Sequence, residues 1–139
     1  MKFKHKKSRQ RVKDMHPTIA MIMFLSSLWA EDRGLPFVVT ETVTTEADDR
    51  AVNRKHKTHQ EGRAFDFSIK GSDGKGGWTT DDMTDYFIDM NERYGHLGAV
   101  SKSTGQRSLV VFHGKGENLH GHVQVGRDVI EDQPYLTEY

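Results

Sequence analysis

The order of apolar and polar positions predicts most of the elements before any chemistry is considered. From Thr18 to Ala30 the residues Ile19, Ile22, Met23, Ser26 and Trp29/Ala30 recur at helical spacing. Pro17 suits a first-turn position, and Glu31-Asp32-Arg33-Gly34 supplies a polar end and a glycine stop. Phe37 to Thr44 is rich in β-branched residues and predicts a strand. Glu46 to Lys57 is polar and charged, which predicts a surface loop or a frayed helical turn. From Ala64 to Ile69 the period is two: Phe65, Phe67 and Ile69 share one face, and Ala64, Asp66 and Ser68 the other. Asp66 therefore points away from the phenylalanines.

The second half of the chain follows the same logic. Gly71 to Gly77 is a turn-rich crossing that lacks the G-K-[ST] ending of a phosphate-binding loop. Thr79 or Thr80 caps a helix with Asp81 and Asp82 in its first turn, Met83, Tyr86, Phe87, Met90 and Tyr94 along its core face, and Gly95 as its stop. Ala99 to Lys102 and Ser108 to His113 predict a hairpin turning through Ser103-Thr104-Gly105-Gln106, extended by the next strand. In that last strand His120, His122 and Gln124 lie on one face, with Leu119, Val123 and Val125 on the other.

Composition narrows the class. A chain of 139 residues with 35% hydrophobic residues and a mean hydropathy of −0.73 suits one polar-surfaced domain. The net charge of zero conceals an uneven distribution: Lys2, Lys4, Lys6, Lys7, Arg9, Arg11 and Lys13 precede the first acid, Asp14. This leaves thirteen basic against twenty acidic residues in the remainder. Residues 1–16 are expected to form a basic, solvated arm and 17–139 a single domain, with 1–13 available for contact with an anionic polymer. A basic start before an apolar run also imitates a secretory signal at 18–30, although Leu28 stands where cleavage after Ala30 would want a small residue. The core-helix reading is preferred.

Cysteine is absent, so a disulfide framework and a thiolate metal site are both excluded, and any metal must be held by histidine and carboxylate. His59 lies seven residues before Asp66, with Gly62 between them to let the backbone turn or another group approach. That stretch can bring an imidazole and a carboxylate to one ion. The His120-x-His122 pair presents two further imidazoles from one strand face. His113, at a strand end beside a glycine turn, is read mainly as structural.

The motifs His59-x-x-Gly62-x-Ala64-x-Asp66 and His120-x-His122-x-Gln124 resemble the zinc peptidases of the D-Ala-D-Ala metallopeptidase, lysostaphin and hedgehog superfamily. In size and layout the chain is most similar to the D-Ala-D-Ala carboxypeptidases and L-alanoyl-D-glutamate endopeptidases of phages and bacteria, over about 17–126. The resemblance implies an α+β fold with an antiparallel sheet and helices packed on one side, one Zn²⁺ per chain, and hydrolysis of peptidoglycan stem peptides. By the same resemblance His59 and Asp66 are ligands and His122 the third. His120 is its alternative under a pattern with an acid three residues earlier.

Glu117 and His120 are then the expected catalytic groups, and Arg50, Arg63 and Thr58 the expected substrate contacts. Three protein ligands leave a fourth position for water, whose pKa zinc lowers to about 7. Two positions depart from the family pattern: Lys57 stands where a serine is frequent, and Thr42-Val43-Thr44-Thr45 where a Gly-aromatic-Arg setting is usual. They keep open a catalytically inactive, zinc-stabilised binding module. The expected protein is a monomer acting on the cell wall, made in a host cytoplasm by a phage or exported.

Overall fold

The computed structural model of the chain describes residues 1–71 and 76–131. The centre of the glycine-rich crossing, at 72–75, and the end of the chain, at 132–139, lie outside the described residues. The strands in chain order are β1 (Lys2–Phe3), β2 (Val38–Glu41), β3 (Ala64–Ser68), β4 (Ala99–Val100), β5 (Arg107–Ser108), β6 (Val110–His113) and β7 (His120–Gln124). The α-helices are α1 (Lys6–Gln10), α2 (Pro17–Asp32), α3 (Glu46–Ala51), α4 (Thr80–Tyr94) and α5 (Arg127–Glu131). The architecture is mixed α+β. Five strands form one sheet in the order β1-β2-β3-β7-β6, antiparallel except for β1 on β2, and β4 and β5 form a separate two-stranded ribbon.

The core lies on the apolar side of the sheet. Phe65 and Phe67 of β3, Val123 of β7, Val110 of β6 and Val39 of β2 join Ile19, Ile22, Met23 and Trp29 of α2 and Tyr86 and Met90 of α4 in one buried cluster. The Tyr86 ring meets Trp29, Trp78 and Phe67 edge-on at centroid separations of 5.2, 5.3 and 5.3 Å. Its hydroxyl lies 2.8 Å from Ser26 Oγ, so a polar atom in the middle of the core is satisfied. These α2 side chains are structural. Cleavage after Ala30 would strip Ile19, Ile22 and Met23 from the core.

Other elements differ from expectation for identifiable reasons. The polar stretch after Thr45 is a helix: Thr45 Oγ1 accepts from the Asp48 amide and the Asp48 carboxylate from the Thr45 amide, a closed capping box. The predicted strand at 108–113 breaks at Leu109, whose side chain is buried, dividing it into β5 and β6. In α4 Phe87 is exposed, contrary to its predicted place on the core face, because Tyr86 and Met90 fill that face.

The expected free arm is docked. Lys2 and Lys4 donate their amides to the carbonyls of Phe37 and Val39 at 3.0 and 2.8 Å, making β1 the edge of the sheet. Buried Ser8 donates to the Thr40 carbonyl at 3.1 Å, Thr42 Oγ1 donates to the Ser8 carbonyl at 2.7 Å, and Arg11 reaches Asp48 at 2.7 Å. The lysines at 2, 4, 6 and 7 stay exposed. Charge at about every second position hid a backbone that pairs through its amides.

Gly121 is the tightest point of the sheet. It faces Phe67 across β3 and β7, and a Cβ there would stand 2.2 Å from the Phe67 ring, itself enclosed by Phe37, Trp78, Tyr86 and Phe112. Gly121→Ala is expected to lower stability by about 1–3 kcal/mol, read as a drop in the urea midpoint.

Candidate metal centre

Sheet register assembles the polar face. In the β3–β7 pair Asp66 stands opposite His122, Ser68 opposite His120 and Ala64 opposite Gln124. In the β6–β7 pair His113 stands opposite His120 and Val111 opposite His122. Residues directly opposite on antiparallel strands project to the same face, so Asp66, His113, His120 and His122 converge there, while Phe67 and Gly121 project into the core.

His59 reaches this face from a tight loop. The Gly62 amide donates to the His59 carbonyl at 3.1 Å and the Arg63 amide to the Thr58 carbonyl at 3.0 Å, folding 58–63 into consecutive turns. Gly62 has φ +68°, and a Cβ on it would approach the Asp14 carbonyl to 2.7 Å. A left-handed turn and a close approach by the docked arm both require glycine here. The loop buries His59 almost completely.

His59, Asp66 and His122 form a buried group whose potential ligand atoms lie within 4.8 Å of one another. The hydrogen bonds at its edge fix its character. His59 Nδ1 lies 2.7 Å from the Thr42 carbonyl, which only accepts, so Nδ1 carries the proton and a neutral His59 presents the Nε2 lone pair 3.2 Å from Asp66 Oδ1. His122 Nε2 lies 3.0 Å from Gln124 Oε1, also an acceptor, which leaves Nδ1 facing Asp66 Oδ1 at 2.7 Å. Two imidazole lone pairs and a carboxylate oxygen then meet at the buried base of the cleft. Such an arrangement needs a cation between the acceptors, either protons on the imidazoles or a metal ion.

The donor set fits a metal: two histidines whose outer nitrogens are held by backbone or amide oxygens, and one carboxylate. The 3.2 Å from His59 to Asp66 is close to the roughly 3.3 Å separating two ligands of a tetrahedral ion with bonds of about 2 Å.

Without a metal, protons on the imidazoles supply that cation. Burial opposes ionisation of Asp66, but the hydrogen bonds from His122 and His59 outweigh it and hold the carboxyl far below the usual range. Burial depresses His59, yet the Asp66 hydrogen bond and charge and the Thr42 carbonyl leave it raised above 6.5. Burial together with the neighbouring His122 and His120 lowers His113.

The remaining candidates distribute unevenly. His120 donates from Nδ1 to the Asn118 carbonyl at 2.8 Å and turns Nε2 towards the site, 3.9 Å from Asp66 Oδ2. Thr58 is buried and lines the cleft over the centre. Arg63 lines it too, with Nη1 donating to the Val125 carbonyl at 3.0 Å. Glu117 lies exposed in the single 3₁₀ turn Gly116–Asn118 and is not among the residues lining the cleft. Arg50 is also outside it, exposed and 3.9 Å from Glu46.

Sequence reasoning gave little weight to two residues that the structure brings in. Arg54 lines the cleft while bonded to Glu41 at 2.6 Å and buried Asp49 at 2.8 Å. The His113 ring stands 5.4 Å from that of His122 and 5.9 Å from that of His120. The period-two pattern of 110–113 against 120–124 was the available signal for His113. Compared with protein-family models, curated proteins and solved structures, the chain finds no match.

The raised His59 gives a pH prediction whose sign follows from linkage. A raised folded-state pKa contributes stability that is complete below about 6.5 and lost as pH rises through the folded value. The metal-free chain should therefore lose this contribution as pH rises above about 6.5 and through the raised folded value. A metal needs the unprotonated nitrogens, so the rise in melting temperature produced by added Zn²⁺ should grow over the same interval. Thermal scans with chelator and with Zn²⁺ at several pH values measure both trends.

Proposed function

We propose that the chain is a zinc-dependent peptidase that hydrolyses peptidoglycan stem peptides, with His59, Asp66 and His122 as the ligands of one Zn²⁺. The observation that carries this reading is the convergence of two oriented imidazoles on a buried carboxylate, with a third imidazole, His120, beside them and open to the cleft. Bound zinc would supply a Lewis acid and acidify a coordinated water.

The chain's own residues account for the rest of the chemistry. His120, its Nδ1–H anchored on the Asn118 carbonyl, turns Nε2 to the cleft, where it would accept a proton from the attacking water and return it to the leaving amine. This role falls to His120 rather than to Glu117, which lies outside the cleft. His113 flanks His120 and is kept neutral by burial and its imidazole neighbours, which suits a hydrogen-bond donor to a developing oxyanion. Lys55 and Lys57 at one part of the cleft and Lys102 at another suit a substrate carrying carboxylates, while Arg54 is held by Glu41 and Asp49.

Purified sacculi should lose turbidity with the zinc-loaded chain and not with chelator, and mass spectrometry of the released fragments should identify the bond cut. His120→Gln should keep stoichiometric zinc and lower kcat by about 10²–10⁴-fold, while Glu117→Gln stays near the parent rate. Intact sacculi and stem peptides in the presence of one bound zinc per chain would instead assign the inactive binding module.

A further inference from the structure

Helix α2 carries an apolar row that the core does not use. Its exposed positions are Pro17, Met21, Phe24, Leu28, Glu31 and Asp32, and all but the last follow the spacing 4-3-4-3. That is the spacing of a seam that faces another helix. Met21, Phe24 and Leu28 are 48%, 53% and 59% exposed, and Leu28 and Glu31 of the row line a groove between α2 and α4 together with Leu25, Met90, Arg93 and Tyr94.

The charges on α2 run against its own dipole. Its last turn ends in Glu31 and Asp32 and contains no base, while its first turn contains no acid. Neither acid forms an ion pair among the described residues. The adjacent Arg33 is engaged with Asp89 at 3.2 Å and the Trp29 carbonyl at 3.1 Å. Acids at a helix C-terminus are unfavourable in isolation and favourable beside a helix N-terminus.

We infer that this face is a self-association surface, on which α2 of a second copy lies antiparallel. An antiparallel pair about a two-fold axis near Phe24 sets Met21 of one copy against Leu28 of the other. Each Glu31-Asp32 end then meets the positive N-terminal end of the other α2. The exposed Lys13 and Asp14 flanking that end offset each other, leaving the helix dipole as the attraction. The same patch serves both copies, as closed two-fold symmetry requires. Three half-exposed side chains fall short of the roughly 800 Å² per partner of a stable interface, so the dimer is weak, with a dissociation constant on the order of 100 µM.

Sedimentation equilibrium of the full chain over a concentration series tests this. The parent chain should dimerise, and Phe24→Glu and Leu28→Glu should remain monomeric with an unchanged melting temperature, because both side chains are exposed. Glu31→Lys, which suits the isolated helix, should weaken association at least threefold without lowering the melting temperature. The chain has no cysteine, so single Met21→Cys and Leu28→Cys chains can be mixed under oxidising conditions. Cross-links between the two variants in preference to either with itself are expected. A monomer throughout the series, association indifferent to Leu28→Glu, or Met21→Cys cross-linking mainly with itself would each overturn the proposal. So would a monomer that floats with phosphatidylcholine–phosphatidylglycerol vesicles and loses flotation on Phe24→Glu, which would make the face a membrane contact.

Discussion

A carboxylate buried in the middle of a sheet and met by two imidazoles is the constraint on which the rest of this structure depends. Asp66 is almost inaccessible, and an isolated charge there would be untenable. Its compensation comes from two directions: His122 of β7 across the ladder and the loop carrying His59. The register of β3 on β7 serves this pairing and the core at once. A slip of one residue would set Asp66 opposite a neighbour of His122 and turn Phe65 and Phe67 out of the core. Packing and chemistry therefore select the same alignment.

Around that pair, most of what matters is done by backbone atoms. The Thr42 and Asn118 carbonyls decide which nitrogen of His59 and of His120 carries a proton. Such contacts set the difference between a histidine that binds a proton and one that offers a lone pair.

This explains what could be read from the residues alone. The alternation in 64–69 and 119–125 placed Asp66, His120 and His122 on a polar face because side-chain period is written in residue types, and Gly62 signalled the turn beneath His59. The docking of 1–16 was not legible, since its attachments run through amides and carbonyls of residues whose exposed lysines suggested a solvated tail. Arg54 could not be told apart from Arg50 and Arg63 as a candidate cation, because its partners, Glu41 and Asp49, lie on separate elements. The break at Leu109 was hidden inside a run of apolar residues that fits a continuous strand equally well.

Thr42 joins the docked arm to the candidate metal centre. Its hydroxyl is held by the Ser8 carbonyl in the docked arm, and its own carbonyl holds the ring of His59. The first residues of the chain and the proposed metal centre thus share one anchoring residue. By reciprocity, an ion bound by His59 would tighten the arm by as much free energy as a loosened arm would cost the ion. Filling of the centre would then be legible as amide exchange at the β1–β2 edge, one strand away from the ladder that carries Asp66.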